Sequence, residues 1–96
     1  MKTIDDICAL VEQFLADKTC AAHAVSIYFL REEQKPEPGK LPPLFRSNRT
    51  DMMLSIRVLQ FNDDLVTRLY RELKTRFPQK KWKKRFMDGI DGIETE

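Results

Sequence analysis

The 96-residue sequence has few of the residues that build catalytic or metal sites: two cysteines, one histidine and three glycines. Cys8 and Cys20 do not form a CxxC pair, and His23 alone does not complete a usual set of zinc ligands. The glycines form no phosphate-binding loop, and the acidic pairs do not alternate as in a calcium loop. We therefore expect no enzymatic activity, no metal and no cofactor.

The sequence also lacks a long apolar run. No segment reaches the roughly 18–20 apolar residues that cross a bilayer. Acidic residues interrupt the first segment, where a secretory signal would need an apolar core. Two cysteines without a pairing pattern are typical of reduced thiols. We expect a cytoplasmic protein with no membrane contact, folded as one domain over 1–96, because this length is too short for two domains.

Hydrophobic periodicity predicts a small α+β fold with helices packed on one face of the sheet. The predicted sheet is antiparallel and has two or three strands. Pro78 is expected to end the second helix, and Gly89 is expected to stop the third. In chain order, the pattern predicts a helix over 4–15, strands over 22–30 and 51–61, and helices over 65–77 and 79–87.

Two segments lack this periodicity. Residues 31–50 contain four of the five prolines and are predicted to form a long proline-rich loop. The sequence LFRS at 44–47 is expected to add a short edge strand near the end of that loop. Residues 88–96, DGIDGIETE, are predicted to be an acidic, flexible tail.

A two-stranded sheet is only marginally stable, so its second face needs a cover. That cover is either the proline-rich loop or a second copy of the chain that pairs edge to edge, and the sequence favours the homodimer. If the loop folds over the sheet, Arg46, Arg49 and Arg57 add charge to this face. The apolar residues predicted to form an interface there are Tyr28, Leu30, Leu59 and Phe61.

Basic residues concentrate in the segment 68–86, RLYRELKTRFPQKKWKKRF. It holds nine of the seventeen lysines and arginines and a single acidic residue, Glu72. The aromatic residues of the segment are expected to dock inward, whereas its basic residues are expected to form an outer wall of two helices. The predicted basic patch comprises Arg68, Arg71, Lys74, Lys80, Lys81, Lys84 and Arg85.

Two function classes fit these features. The first is a small non-enzymatic regulator that binds the nucleic-acid backbone through the basic patch. It would not read bases, because no helix-turn-helix, zinc-finger or RNP-type motif is present. The second is a protein-interaction module, such as an inhibitor or adaptor of a nucleic-acid-processing enzyme. It would present the mixed sheet face, and the basic patch would meet an acidic protein surface.

Overall fold

The computed structural model describes residues 2–17, 23–30, 45–59 and 63–95. These residues form an α+β domain with two helices and one five-stranded sheet, so the predicted fold class is confirmed. The elements are α1 (Lys2–Asp17), β1 (Ala24–Phe29), β2 (Phe45–Arg49), β3 (Met53–Val58), α2 (Asp63–Arg76), β4 (Trp82–Met87) and β5 (Ile90–Thr95). The strands lie in the order β2-β3-β1-β5-β4.

The sheet is mixed, which corrects the prediction of two or three antiparallel strands. β1 and β3 are parallel, whereas the pairs β2–β3, β1–β5 and β4–β5 are antiparallel. The parallel pair arises because β2 lies between β1 and β3 in the chain but at the edge of the sheet in space. β2 confirms the expected edge strand near 44–47. The rest of the predicted loop, 31–44, lies outside the described residues.

The core lies between the two helices and one face of the sheet. β1 is the central strand, and its alternate residues Val25, Ile27 and Phe29 are fully buried. α1 packs on the β3 side, where the guanidinium of Arg49 lies 5.2 Å from the centroid of the Phe14 ring. The helices meet at Arg76, whose side chain forms ion pairs with Asp5 of α1 at 3.0 Å and with Glu72 at 2.9 Å.

The C-terminal third differs most from the sequence prediction. Residues 79–87, predicted as a helix, contain β4, and residues 88–96, predicted as a flexible tail, contain β5. Asp88 and Gly89 have φ angles of 54° and 78°. Two consecutive positive φ angles are typical of the type I′ turn that closes a two-residue hairpin. Gly89 therefore connects two strands and does not stop a helix.

A buried tryptophan fixes the start of this hairpin. Trp82 is 7 % exposed, and its indole Nε1 donates a hydrogen bond to the carbonyl oxygen of Phe77 at 3.0 Å. The hydroxyl of Tyr70 donates to the carbonyl oxygen of Trp82 at 3.2 Å. These two bonds attach the first residue of β4 to the C-terminal half of α2. The expectation that Trp82 docks inward is confirmed, although it does so from a strand. For Phe86 the same expectation is wrong, because its side chain is 65 % exposed.

The thiol of Cys8 provides a test of the α1 packing. Cys8 is 2 % exposed, and burial raises the pKa of its thiol, although the nearby Arg76 guanidinium acts in the opposite direction. Because the thiolate is the reactive form, the folded protein should react slowly with iodoacetamide at about pH 8. In a Cys20→Ser variant, we expect labelling of Cys8 to be markedly slower in buffer than in denaturant, because burial both raises the pKa of the thiol and keeps the reagent away from it. Equal rates would show that Cys8 is accessible.

Neither α1 nor α2, the helices of the described residues, is long and apolar enough to cross a membrane.

Candidate nucleic-acid interface

The predicted basic patch does not form one surface, because α2 and β4 distribute its residues over different sides of the molecule. Successive side chains of a strand point to opposite faces of the sheet. Lys84 therefore lies on the face covered by the helices, and Arg85 lies on the opposite face. Of the other predicted residues, Arg68, Arg71 and Lys74 lie on α2, and Lys80 and Lys81 lie in the connection to β4. The prediction that residues 79–87 form a basic helix is wrong.

Two residues of the predicted patch do meet across elements. The ammonium group of Lys74 lies 5.0 Å from the centroid of the Tyr70 ring, and that of Lys84 lies 5.2 Å from it. These distances are within the range of cation–π contacts. We call this group, Lys74, Tyr70 and Lys84, the Tyr70 cluster. It joins α2 to β4 and places two positive charges around one ring.

Three other predicted residues are engaged in local contacts. Arg68 Nε pairs with Asp64 Oδ2 at 3.1 Å, one turn earlier in α2. Lys80 Nζ donates to the carbonyl oxygen of His23 at 2.8 Å. Arg85 Nη1 pairs with Glu94 Oε1 at 2.7 Å. These contacts neutralise or orient part of the predicted charge, whereas Arg71 and Lys81 are exposed.

The sheet face opposite the helices has no cover from the described part of the chain, and we call it the open face. It carries four exposed apolar side chains, those of Tyr28, Met53, Met87 and Ile90, which are 37–49 % exposed. Among the residues predicted for an interface, Tyr28 lies here. Leu59 is buried at 9 % exposure, Leu30 is half-buried, and Phe61 lies outside the described residues.

One register row crosses the open face from edge to edge. Arg46 is opposite Arg57, and Arg57 is opposite Tyr28. Tyr28 is opposite Gly92, and Gly92 is opposite Arg85. Four inter-strand steps make the row about 19 Å long. We call these five residues the arginine row. It brings Arg46 and Arg57 onto a charged sheet face, whereas Arg49 lies on the helix side.

The β2–β3 end of the arginine row concentrates positive charge. Arg46 and Arg57 are direct cross-strand partners, an arrangement that destabilises a sheet when the charges are alike. Neither arginine forms an ion pair with a residue that the structure describes. A shallow depression of about 280 Å³ lies between them and is also lined by Ser47, Asn48 and Ser55. This end offers two guanidinium groups to an anion.

The β4–β5 end of the open face is partly neutralised. Glu94 is the acceptor for two cations: its Oε1 lies 2.7 Å from Arg85 Nη1 and 3.6 Å from Lys83 Nζ. The Glu94 side chain is only 13 % exposed, and the two cations are about half exposed. Across the sheet, this face therefore carries four basic side chains (Arg46, Arg57, Lys83 and Arg85) and one acidic strand residue, Glu94. Its charge is positive.

Tyr28 lies at the middle of the arginine row and leans over β5. A Cβ atom at position 92 would lie 3.2 Å from Cδ1 and 3.5 Å from Cε1 of the Tyr28 ring. Because Gly92 has no side chain, the ring occupies this space. A second depression, of about 290 Å³, lies beside the ring and is lined by Tyr28, Arg85, Met87, Asp88 and Ile90.

The described residues include few side chains that are arranged to bind a metal ion or to act in catalysis. They contain no group of three or more His, Cys, Asp or Glu residues that could hold a metal ion. The Nδ1 atom of His23 is buried and has no hydrogen-bond partner among the described residues, and the centroid of its ring lies 6.1 Å from that of Phe14 in an edge-on contact. Cys20 lies outside the described residues. The geometry thus places His23 in a packing contact.

The sheet edges bear on the predicted homodimer. A two-stranded sheet would favour edge-to-edge pairing, but β2, β4 and β5 extend the β1–β3 pair to a sheet of five strands. The edge strands β2 and β4 also carry basic residues, which discourage pairing between copies. The alternative prediction is that the proline-rich loop covers the open face, but residues 31–44 of that loop lie outside the described part of the chain. The homodimer stays a prediction.

Comparison with known proteins adds no assignment. No protein-family model matches the chain, and no curated protein or solved structure matches it significantly. The arginine row and the Tyr70 cluster are the features of the described residues that bear on function.

Proposed function

We propose that this protein binds the phosphate backbone of nucleic acid without catalysing a reaction on it, and that the arginine row is its main contact surface. The observation that carries this proposal is the direct opposition of Arg46 and Arg57 on a positively charged sheet face that none of the described residues covers. Of the seven residues of the predicted basic patch, Arg85 belongs to the row.

The chemistry of the row suits phosphate. A guanidinium group presents its donors in a planar fork that matches two phosphate oxygens. An anion placed between Arg46 and Arg57 would relieve the repulsion between them. The free energy of anion binding is therefore more favourable here than at a lone surface arginine. Any phosphate or carboxylate group would satisfy this chemistry. The length of the row distinguishes between these ligands.

The row favours a polymer over a small anion. Its arginines lie at both edges of the sheet, and the whole row is about 19 Å long. A single phosphate contacts one end, whereas a chain of phosphates contacts Arg85 and the Arg46–Arg57 pair together. The Tyr70 cluster lies on the helix side of β4 and provides a second polyanion contact in this proposal. Nucleic acid, a long chain of phosphates, is the polyanion that we propose for both contacts.

Salt dependence tests this function directly. We expect a fluorescein-labelled single-stranded oligonucleotide to bind, and the logarithm of its association constant to fall linearly with the logarithm of salt concentration. Each neutralised phosphate contributes a slope of about −0.7 on single strands, so three arginines predict a slope of about −2. Fluorescence anisotropy at several salt concentrations measures it. No binding at low salt, or a slope near zero, would refute the proposal.

A second candidate function is a protein-interaction module on the same face. It is favoured by the four exposed apolar side chains of the open face, which exceed what a solvated sheet face needs. An affinity pull-down with and without nuclease separates the two functions. Recovery that nuclease abolishes supports nucleic acid, and one stoichiometric nuclease-resistant protein supports the interaction module.

A further inference from the structure

We infer that the depression beside Tyr28 holds one unpaired nucleobase, stacked on the Tyr28 ring, while the arginines of the row hold the phosphates on either side of it. This inference rests on the proposed function and deepens it, because it names single-stranded nucleic acid as the ligand class. It assigns Tyr28 and Gly92 roles that backbone binding alone does not require.

The position of the Tyr28 ring is the first observation. Tyr28 lies on the central strand and is 39 % exposed. In its register row, Arg57 lies on one side, and Arg85 lies beyond Gly92 on the other. An aromatic ring flanked by cations is the arrangement used by proteins that bind single strands, because rings stack on bases while cations hold the backbone. In this row, the ring lies between the arginines.

The lining of the depression is the second observation. Met87 and Ile90 line the depression together with Tyr28 and are apolar, and the carboxylate residue Asp88 lies at the hairpin turn. An apolar lining and a carboxylate both disfavour a phosphate in this space. A flat base suits it, because its faces contact apolar groups and its edge can donate hydrogen bonds to a carboxylate. Arg85 lies at the rim, where one of its guanidinium nitrogens pairs with Glu94 and its other donors would hold the adjoining phosphate.

Gly92 is the third observation, because it makes room for the ring. An added Cβ would approach the Ile27 carbonyl oxygen and the Tyr28 ring at 3.2 Å each, closer than ordinary van der Waals contact. Any side chain at position 92 would therefore displace the ring from the depression. In a duplex, the faces of the bases are stacked and inaccessible to such a ring. The arrangement consequently selects unpaired strands.

The experiment compares two probes that carry the same phosphates. One is a labelled single strand of about ten nucleotides, and the other is the same strand with every base removed. For the natural protein, we expect about tenfold tighter binding of the base-bearing strand, as one stacked base supplies. We expect Tyr28→Leu to abolish this preference while its affinity for the base-free strand stays within about twofold. Tyr28→Phe retains the ring and should retain the preference.

Controls separate the possible outcomes. Met53→Leu changes another exposed side chain of the open face and should leave the preference intact, and Gly92→Ala should weaken it if the variant keeps its far-ultraviolet circular dichroism. Equal binding of both probes by the natural protein would overturn the base site while leaving backbone binding in place. An unchanged preference in Tyr28→Leu would also overturn it. Binding of neither probe would refute the proposed function itself.

Discussion

A protein in which Arg46 and Arg57 are both replaced by glutamine is expected to bind the oligonucleotide at least about tenfold more weakly and to unfold at a slightly higher urea concentration. The affinity falls because two charge-assisted contacts to phosphate are lost, each worth about 1.5–3 kcal/mol before solvent exposure reduces it. The stability rises because like charges directly opposite each other in a sheet repel. Fluorescence anisotropy and urea unfolding measure the two quantities.

The opposite directions of these two effects make the result specific. A variant that bound weakly because it was misfolded would also unfold more easily. A simultaneous loss of affinity and gain of stability shows that the arginine pair is kept at an energetic disadvantage that a bound anion relieves. A loss of stability in the double variant would show that the two arginines are compensated in the folded protein, which would remove the observation that carries the proposed function.

The matched control removes the same charge from the other cluster. Lys74→Gln with Lys84→Gln removes two positive charges from around Tyr70, on the helix side of β4. If net charge alone attracts the nucleic acid, both double variants lose the same affinity. If the arginine row is the main contact, the control keeps most of it. A larger loss in the control would place the site within the basic patch that the sequence predicts, and not on the row.

The half of the fold with regular apolar periodicity follows from the sequence. Along β1, the residues Val25, Ile27 and Phe29 alternate with polar or small residues, so the buried face is visible in the pattern. α1 and α2 show the same clarity at helical spacing, because their buried residues recur every three or four positions. These elements pack against one another. Each of them is buried on one side only, and this produces the apolar periodicity in its sequence.

The β4–β5 hairpin does not follow from periodicity. Trp82 and Phe86 are four residues apart, and that spacing puts them on one face of a helix and also on one face of a strand. β4 is an edge strand of which only Trp82 is buried, so it lacks the alternation that identifies a half-buried strand. The sequence signal for this hairpin is the Asp88–Gly89 pair, a dipeptide typical of type I′ turns, although a glycine such as Gly89 is also typical of the end of a helix.

The candidate site depends on register, which is why the sequence alone groups a different set of cations. Arg46, Arg57, Tyr28 and Arg85 are distant in the chain and lie in one row only through four different strand pairings. A shift of one residue in any pairing would move an arginine to the other face of the sheet. The predicted patch instead groups residues that are close in sequence. Those that lie in β4 are placed on the two opposite faces of the sheet.

Removal of residues 90–96 is expected to unfold the protein, because β5 is an interior strand and not a tail. β5 pairs with β1 on one side and with β4 on the other, so its loss leaves the central strand unpaired on one side and detaches β4. A domain is stable by only about 5–15 kcal/mol, which the loss of an interior strand exceeds. A flexible tail would predict the opposite result, an unchanged urea midpoint after truncation.

A point substitution gives the same test without removing backbone. Ile93 is 1 % exposed and is the register partner of both Ile27 and Lys84, so Ile93→Ala should lower the free energy of unfolding by about 2–5 kcal/mol. Ile90 lies on the same strand but is 37 % exposed on the open face, and Ile90→Ala should lower it by less than about 1 kcal/mol. Urea unfolding followed by the fluorescence of Trp82, the single tryptophan, measures both. The difference between two isoleucines three positions apart arises only if β5 buries one face against α2, so equal effects would exclude the strand.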